Sequence, residues 1–513
     1  MARALLAATM CVASVIPSHA LVSHVTGTLG GSGRFIVAYQ PGSGGPVREL
    51  LEQRARVVDE HQTGGWLVVE GLAAETVRSI PGVRFAESDP IAAADGGSPD
   101  DPRWDEQWGP QKVGAPQAWA RTTGSVDVIV GVVDSGVDLK HPDLAGRLWR
   151  NPREILNGID DDGNGFIDDI HGADCRDRDG DPTDTNGHGT HVAGIIGAAA
   201  NAVGIVGIDR TARIMPLRFL GADGRGRVSD AIRCLDYATT LGVQITNHSW
   251  GTAGSSQALN EAIARARAAG MILIASGGND GRDLDVTTPG HYPSSAPYDN
   301  IVAVASSTSY DALAASSNVG VASVDLAAPG VGILSAIPGG WANKSGTSMA
   351  APHVAAAAAL ILAAHPGLAY PAVVQRLLGS VDRTPEFEAK LASGGRLNVA
   401  RGVEDDTARP STPALHFVSP LRTPTSITVA WLAPEEDGLT VGTGAVSRYE
   451  LLVRKRGTTA WWRVPAPWPA PPGALQSARI DGLIPATTYD VKLTAVDNVG
   501  NASTSPAIIA ATA

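Results

Sequence analysis

The chain has 513 residues, more than one hydrophobic core can organise, and about two to four folded units are expected. Hydrophobic residues make up 43% and charged residues 18%, which argues against wholesale disorder. The formal net charge of −12 argues against nucleic acid as a partner, because binding phosphate needs basic patches.

The first elements in chain order are leader-like. Arg3 precedes a mostly apolar run from Leu5 to Ile16, and Ser18-His19-Ala20 offers a cleavage point after Ala20. Residues 1–20 therefore read as a secretory signal peptide, and the protein as secreted and extracellular. Of three cysteines, Cys11 leaves with that leader. Cys175 and Cys234 are left either to pair or to stay free, and two cysteines make no disulfide scaffold. No later apolar run reaches membrane-spanning length, and Val354 to Ala364 reads as a buried helix.

Residues 34–95 pattern as a small α+β unit, within a segment bounded at 21–97. Strands are predicted at 34–39, 66–70 and 83–86, with helices at 47–58 and 73–80. The Gly-, Asp- and Pro-rich stretch at 93–101 predicts an exposed boundary. From 104 to 400, near-continuous apolar runs alternate with helical patterns. Runs at 126–133, 214–219, 243–247, 271–275 and 301–305 suit strands buried on both faces. Helices fit at 191–199, 228–241, 256–269 and 348–364. This rhythm predicts an α/β fold with a doubly wound parallel sheet over 98–403, its site at the carboxyl ends of the strands. A polar linker at 404–413 leads to short alternating strands over 414–513, the pattern of a β-sandwich.

Three segments carry chemistry. In Gly131-Val132-Val133-Asp134-Ser135-Gly136, an acidic residue ends a buried strand. A strand-end carboxylate beside an imidazole fixes its tautomer and stabilises the imidazolium; alone it is equally a turn residue. In Asn186-Gly187-His188-Gly189-Thr190-His191, two glycines leave the His188 ring accessible ahead of an apolar helix, and a near-neutral imidazole accepts and returns protons. A zinc pair of His188 and His191 is the weaker reading, since no Glu stands between them. In Ser345-Gly346-Thr347-Ser348-Met349-Ala350, Ser348 opens an Ala-rich helix, whose amino end suits a developing oxyanion or, more blandly, needs a cap.

Together, and in this order, the segments closely resemble the Asp, His and Ser boxes of subtilisin-like serine proteases. The resemblance covers about 98–403 and implies an endopeptidase that hydrolyses polypeptides through an acyl-enzyme on Ser348, with Asp134 and His188 completing a triad. Leu273-Ile274-Ala275-Ser276-Gly277-Gly278-Asn279 is similar to the family's oxyanion segment. It implies Asn279 as side-chain donor and Ser276, Gly277 and Gly278 as substrate contacts. Asn247-His248-Ser249-Trp250-Gly251 resembles the substrate-binding strand, with Ser249, Trp250 and Gly251 as contacts; His248 and Trp250 depart from the usual Met and Leu. Tyr292-Pro293 is similar to a cis-proline site near the same pocket. The amino-terminal unit resembles the family's propeptide, which acts as intramolecular inhibitor until it is cut away. The last unit resembles a fibronectin type III domain with Trp431 in its core and a tyrosine corner at Tyr489. Trp461, Trp462 and Trp468 either bind a surface or polymer or pack within their loop, the plainer reading.

Asn157-Gly158-Ile159-Asp160-Asp161-Asp162-Gly163-Asn164-Gly165 is also similar to a calcium loop. Asp160, Asp162, Asn164 and Asp168 are candidate ligands, although His171 stands where a closing Glu belongs. A further acidic run holds Asp177, Asp179, Asp181 and Asp184. By resemblance to the family's strong calcium site, Asp101, Asp143 and Asn201 are candidates too. Calcium is expected to be structural, with no cofactor for catalysis; the bland alternative is a solvated acidic surface.

Overall fold

The computed structural model describes residues 33–61, 64–72, 74–88, 99–406, 408–435 and 446–513, so the leader and most of the 93–101 boundary lie outside the described residues. The chain divides into two units, residues 1–92 and 93–513.

The first unit holds β1 (Gly33–Tyr39), α1 (Gly44–Glu52), β2 (Arg56–His61), β3 (Trp66–Leu72), α2 (Ala74–Arg78) and β4 (Val83–Ser88). Its antiparallel sheet runs β2-β3-β1-β4. Phe35 and Val37 alternate inward and pack with Leu67 and Val69 against Val47, Leu51 and Val77 of the helices. The helix expected to reach 58 stops at Glu52. Val57-Val58 is a β-branched pair that suits a pleated surface, and Val57 pairs with Val69 of β3.

In the second unit, α3 (Trp108–Lys112) and α4 (Ala115–Trp119) lead into β5 (Ile129–Asp134) and β6 (Ala173–Asp174). Then follow α5 (His188–Gly197), β7 (Arg213–Arg218), α6 (Val228–Thr240), β8 (Ile245–His248), β9 (Thr252–Ala253), α7 (Gln257–Ala268) and β10 (Ile272–Ser276). After β11 (His291–Tyr292) come β12 (Ile301–Ser307), β13 (Leu326–Pro329), the hairpin β14 (Ile333–Ile337) and β15 (Gly340–Lys344), α8 (Thr347–Ala364), α9 (Tyr370–Gly379), β16 (Asp382–Arg383) and β17 (Gly395–Arg396). The main sheet has nine strands, in the order β16-β17-β13-β12-β10-β8-β5-β7-β6. It is parallel except where β16 meets β17.

Both faces are covered, which explains the unbroken apolar strands. Ile272 and Ile274 face one core with Val192 of α5 and Val354 of α8, while Leu273 and Ala275 face the other with Leu235 of α6 and Ile263 of α7. At 18 residues α8 is long and apolar enough to cross a membrane by composition, yet most of it is buried in this core. Cys175 and Cys234 pair, tying the segment after β6 to α6.

The last region is a sandwich of β18 (His416–Phe417), β19 (Ile427–Leu432), β20 (Arg448–Lys455), β21 (Trp462–Val464), β22 (Leu475–Ile480), β23 (Thr488–Val496), β24 (Ala502–Thr504) and β25 (Ile508–Ala511). One sheet is β18-β19-β22; the other is β21-β20-β23-β24, with β25 also on β23. Trp431 is fully buried and meets Tyr449 edge-on at 5.3 Å. The sandwich is tied to the preceding fold. Arg383 donates to the carbonyl of Ser447 and lies 4.6 Å over the Trp468 ring, Asn498 Nδ2 donates to the Arg401 carbonyl at 3.3 Å, and Arg448 reaches Gln375 at 3.1 Å. Trp461 lies under both Arg454 of β20 and Lys492 of β23, at 4.5 and 4.7 Å, so Trp461 and Trp468 pack against cations outside their own loop. Trp462 keeps 40% of its surface exposed.

Tyr489 Oη accepts the N–H of Ile484 at 2.9 Å. Tyr489→Phe should leave that donor unpaired and destabilise the sandwich by about 1–3 kcal/mol, read as a lower denaturant midpoint with an unchanged slope.

Candidate active site

The site lies where the strands of the main sheet end. Asp134 closes β5 with no exposed surface. A buried carboxylate is costly unless it is paired. Its Oδ1 accepts the N–H of Ser135 at 2.7 Å, and His188 Nδ1 lies 2.8 Å from Oδ1 and 3.0 Å from Oδ2. A carboxylate facing Nδ1 keeps the proton there and leaves Nε2 as the base.

His188 opens α5, and glycine brings the two elements together. A Cβ on Gly189 would stand 2.1 Å from the carbonyl oxygen of Gly136 and 3.2 Å from Asp134 Cβ. Ser135 Oγ accepts the N–H of Gly189 and donates to Asp184, both at 2.9 Å. Asp184 also accepts from the N–H groups of Asn186, Gly187 and Thr190 and from the Thr190 hydroxyl. The sequence pattern places Asp184 in an acidic run; here it clamps the amino end of α5. The side chain of His188 is 25% exposed. Burial opposes the imidazolium, but the charge and hydrogen bond of Asp134 outweigh it, and the pKa of His188 is raised above its usual 6.5. Lys344 works the other way: its Nζ donates to the Gly187 carbonyl at 2.8 Å, and its charge opposes a second positive charge nearby.

Ser348 lies in the first turn of α8, where N–H groups have no partner inside the helix. The N–H of Thr347 goes to Asn279 Oδ1 at 2.8 Å, and those of Met349 and Ala350 go to the Gly346 carbonyl, which leaves the N–H of Ser348. Asn279 Oδ1 also accepts the Thr347 hydroxyl at 3.2 Å, so the amide is oriented with its NH2 end free. Ser348 Oγ donates to the Ser249 carbonyl at 3.1 Å, while Ser249 Oγ donates back to the Ser348 carbonyl at 2.8 Å.

Ser348 and Asn279 line a cavity of about 330 Å³ with Ser276, Gly278 and His291. His188 and Ser249 line a second, of about 450 Å³, with Phe219. Trp250, Gly251 and Thr252 line both and form the wall between them. Trp250 packs edge-on against Phe219 at 5.0 Å, and His248 is buried beneath it, its pKa lowered to about 3. Tyr292–Pro293 is cis, as the resemblance implies. Gly277 departs from its expected role. Its N–H goes to Val304 of β12 and its carbonyl accepts from the Asn318 side-chain amide, so both backbone groups are engaged within the protein.

The subtilase family profile matches residues 125–393, more than half of the chain, and a fibronectin type III profile matches 411–511. The chain belongs to the subtilase family. Subtilisin-like protease 1 of Plasmodium berghei (strain Anka) is 35% identical over 305 residues, covering 55% of this chain and 51% of the relative. Thermitase of Thermoactinomyces vulgaris is 34% identical over 311 residues, 60% of this chain and 99% of the relative. The halolysin-like extracellular serine protease of Natrialba magadii is 34% identical over 338 residues, 63% of this chain and 58% of the relative. The chain thus spans about half the length of the Plasmodium relative.

Two acidic groups of this subtilase suit a hard cation. Asp101 Oδ1 accepts the N–H of Asn201, and Asp143 Oδ2 accepts from Trp341 Nε1 and the N–H of Ile205. Asp101 Oδ2 and Asp143 Oδ1 stay buried without partners among the described residues, and burial, with Asp101 nearby, raises the pKa of Asp143. Orphaned carboxylate oxygens of this kind fit oxygen-ligand coordination. In the acidic loop, oxygens of Glu154, Asp160 and Asp162 lie within 4.8 Å of one another. Glu154 is buried, with Oε1 holding the N–H groups of Asp161 and Asp162 and Oε2 unpartnered. It was invisible in the sequence because it stands outside the acidic run. Asn164 Nδ2 and the Tyr237 hydroxyl both donate to Asp169, while Asp168 turns away to the N–H groups of Asn157 and Gly158.

Gly189→Ala should force α5 away from β5. The low-field Nδ1–H proton resonance of His188 is expected to disappear while circular dichroism still shows a folded chain.

Proposed function

We propose that this subtilase is a secreted serine endopeptidase, made as an autoprocessed precursor, that cuts extended polypeptides through an acyl-enzyme on Ser348. The observation that carries the reading is the Asp134–His188 pair, whose imidazole borders a cavity that shares Trp250, Gly251 and Thr252 with the cavity lined by Ser348 and Asn279. Ser348 Oγ rotates from the Ser249 carbonyl, passes its proton to His188 Nε2 and attacks the scissile carbonyl. The N–H of Ser348 and the side-chain amide of Asn279 receive the oxyanion. Asp134 stabilises the imidazolium, which returns the proton to the leaving amine; water then repeats the sequence on the acyl-enzyme. The substrate backbone runs along Ser249–Gly251 on one side and Ser276 and Gly278 on the other.

The domain reading is a leader over 1–20, a propeptide inhibitor over 21–97, the peptidase over 98–403, a linker over 404–413 and a fibronectin type III unit over 414–513. A separate compact unit at the amino end supports the propeptide, with self-cleavage near 94–100. Secretion is supported by the Cys175–Cys234 disulfide, which suits an oxidising compartment, and by the extracellular naming of the Natrialba relative. Calcium at Asp101 and Asp143 with Asn201, and at Glu154, Asp160 and Asp162 with Asn164, supplies counter-charge and belongs to stability. The nucleophile, base and oxyanion donors are all this chain's own.

Ser348→Ala should fold and lose hydrolysis of denatured casein by several orders of magnitude, with near wild-type cleavage refuting the assignment. The base must be neutral to act, and its pKa is raised, so kcat/KM should fall with acid from above pH 6.5. Asp134→Asn, even where activity is slight, should move that limb to lower pH.

Chelation should lower the unfolding temperature and speed autolysis, while initial turnover of a short peptide holds. A cation at 100 times its dissociation constant stabilises the folded state by about 2.7 kcal/mol. Unchanged melting and autolysis would overturn the cation reading of both acidic groups.

A further inference from the structure

The cavity beside Ser348 has an imidazole as one of its walls. His291 lies between two backbone segments that border the cavity: a Cβ on Gly251 would meet its Nε2 at 2.0 Å, and one on Gly278 its Cδ2 at 2.7 Å. At Gly251 the ring occupies the space a side chain would take; at Gly278 the Asn318 side chain and a positive φ of 97° share that role. The hydrogen bonds of the ring assign its protons. The Ser294 hydroxyl donates to the His291 carbonyl at 2.7 Å, so at 3.1 Å its oxygen accepts from Nδ1–H. Nε2 is then an acceptor, and no group among the described residues bonds it.

We propose that His291 reads the residue before the scissile bond, its Nε2 accepting a hydrogen bond from an uncharged donor such as the primary amide of Gln or Asn or the hydroxyl of Thr. This reading rests on the peptidase reading above and names its substrate class. A large hydrocarbon side chain fits worse for two reasons. The ring narrows the slot between Gly251 and Gly278, and covering Nε2 with hydrocarbon leaves a desolvated acceptor unpaired.

The charged groups facing the ring are Asp280 and Arg282, from the loop after β10; Gly251 and Thr252 on one side and Ser294 and Ser295 on the other carry no charge. Arg282 donates to Asp280 Oδ2 at 3.2 Å and to the Pro289 carbonyl at 3.1 Å, so the acid and base at the rim largely cancel. Burial and Arg282 lower the pKa of His291 against the pull of Asp280, leaving the ring neutral near pH 7. On protonation Nε2 becomes a donor, and the cavity then accepts a carboxylate.

The test uses mature enzyme and peptides that differ only in the residue before the cut, either Gln, Phe or Glu. For the wild type at pH 8, kcat/KM for Gln should exceed that for Phe by about tenfold or more, tenfold being near the low end of what an acceptor left unpaired costs. His291→Gly should abolish that ratio. His291→Asn, which deletes the Nε2 position yet can still bond Ser294, should do the same if the glycine variant does not fold. A Phe preference or a ranking unchanged in both variants overturns the proposal; a Glu preference already at pH 8 overturns it in favour of Arg282. Ser348→Ala separates the two readings. If folded wild type cleaves no more than that variant, the peptidase reading falls and takes this one with it, whereas cleavage with the wrong ranking sinks only the role of His291.

Discussion

A carboxylate with no exposed surface at the end of a parallel strand is the constraint on which this structure depends. Asp134 is tolerated there because His188 meets it with Nδ1 at 2.8 Å. That contact requires the amino end of α5 to approach β5 more closely than any side chain permits, so Gly189 lies against Gly136. The approach is then locked by hydrogen bonds through Ser135 and Asp184. One electrostatic requirement thus dictates the glycine at 189, a hydroxyl and a second carboxylate.

The long helix α8 shows the same economy. Its body is apolar and buried in the main core, covering the sheet beside α5. Its first turn, by contrast, has donors with no internal partner. Three of the four N–H groups from Thr347 to Ala350 are met by Asn279 and Gly346, and the remaining one lies at Ser348. Burial of the helix body therefore places the hydroxyl, and Asn279 is oriented by the turn that carries it. A rigid scaffold of this kind limits the reorganisation needed when charge develops on a substrate.

Charge elsewhere follows a different logic. The Asp101–Asp143 group and the Glu154 group keep buried carboxylate oxygens without partners, a state that a bound cation relieves and that the chemistry of the cleft does not use. The fibronectin-like region is braced rather than tethered. Arg383 stacks on Trp468 and bonds across to Ser447, and burial lowers its pKa to about 10, so the contact is largely desolvated.

Much of this was legible in the sequence. Apolar runs such as 126–133 announced strands buried on both faces. The Asp134, His188 and Ser348 segments each joined a reactive side chain to the glycines or helix start that its chemistry needs, and Asn279 followed from the family likeness. Other features needed the tertiary structure. The apolar face of Leu50, Leu51 and Val57 extended the expected helix to 58, where pairing with β3 decides for a strand. Whether Cys175 and Cys234 pair depends on a separation that only the packing of α6 sets. Gly277 reads as a substrate contact until Val304 and Asn318 take its backbone groups. Glu154, Asp184 and His291 carry no local signature, because each acts on groups brought to it by loops distant in the chain or turned back on themselves. Sequence determines which residues can do chemistry, since reactivity and backbone freedom are local properties; the fold alone decides which of them meet, since distance between remote segments is not.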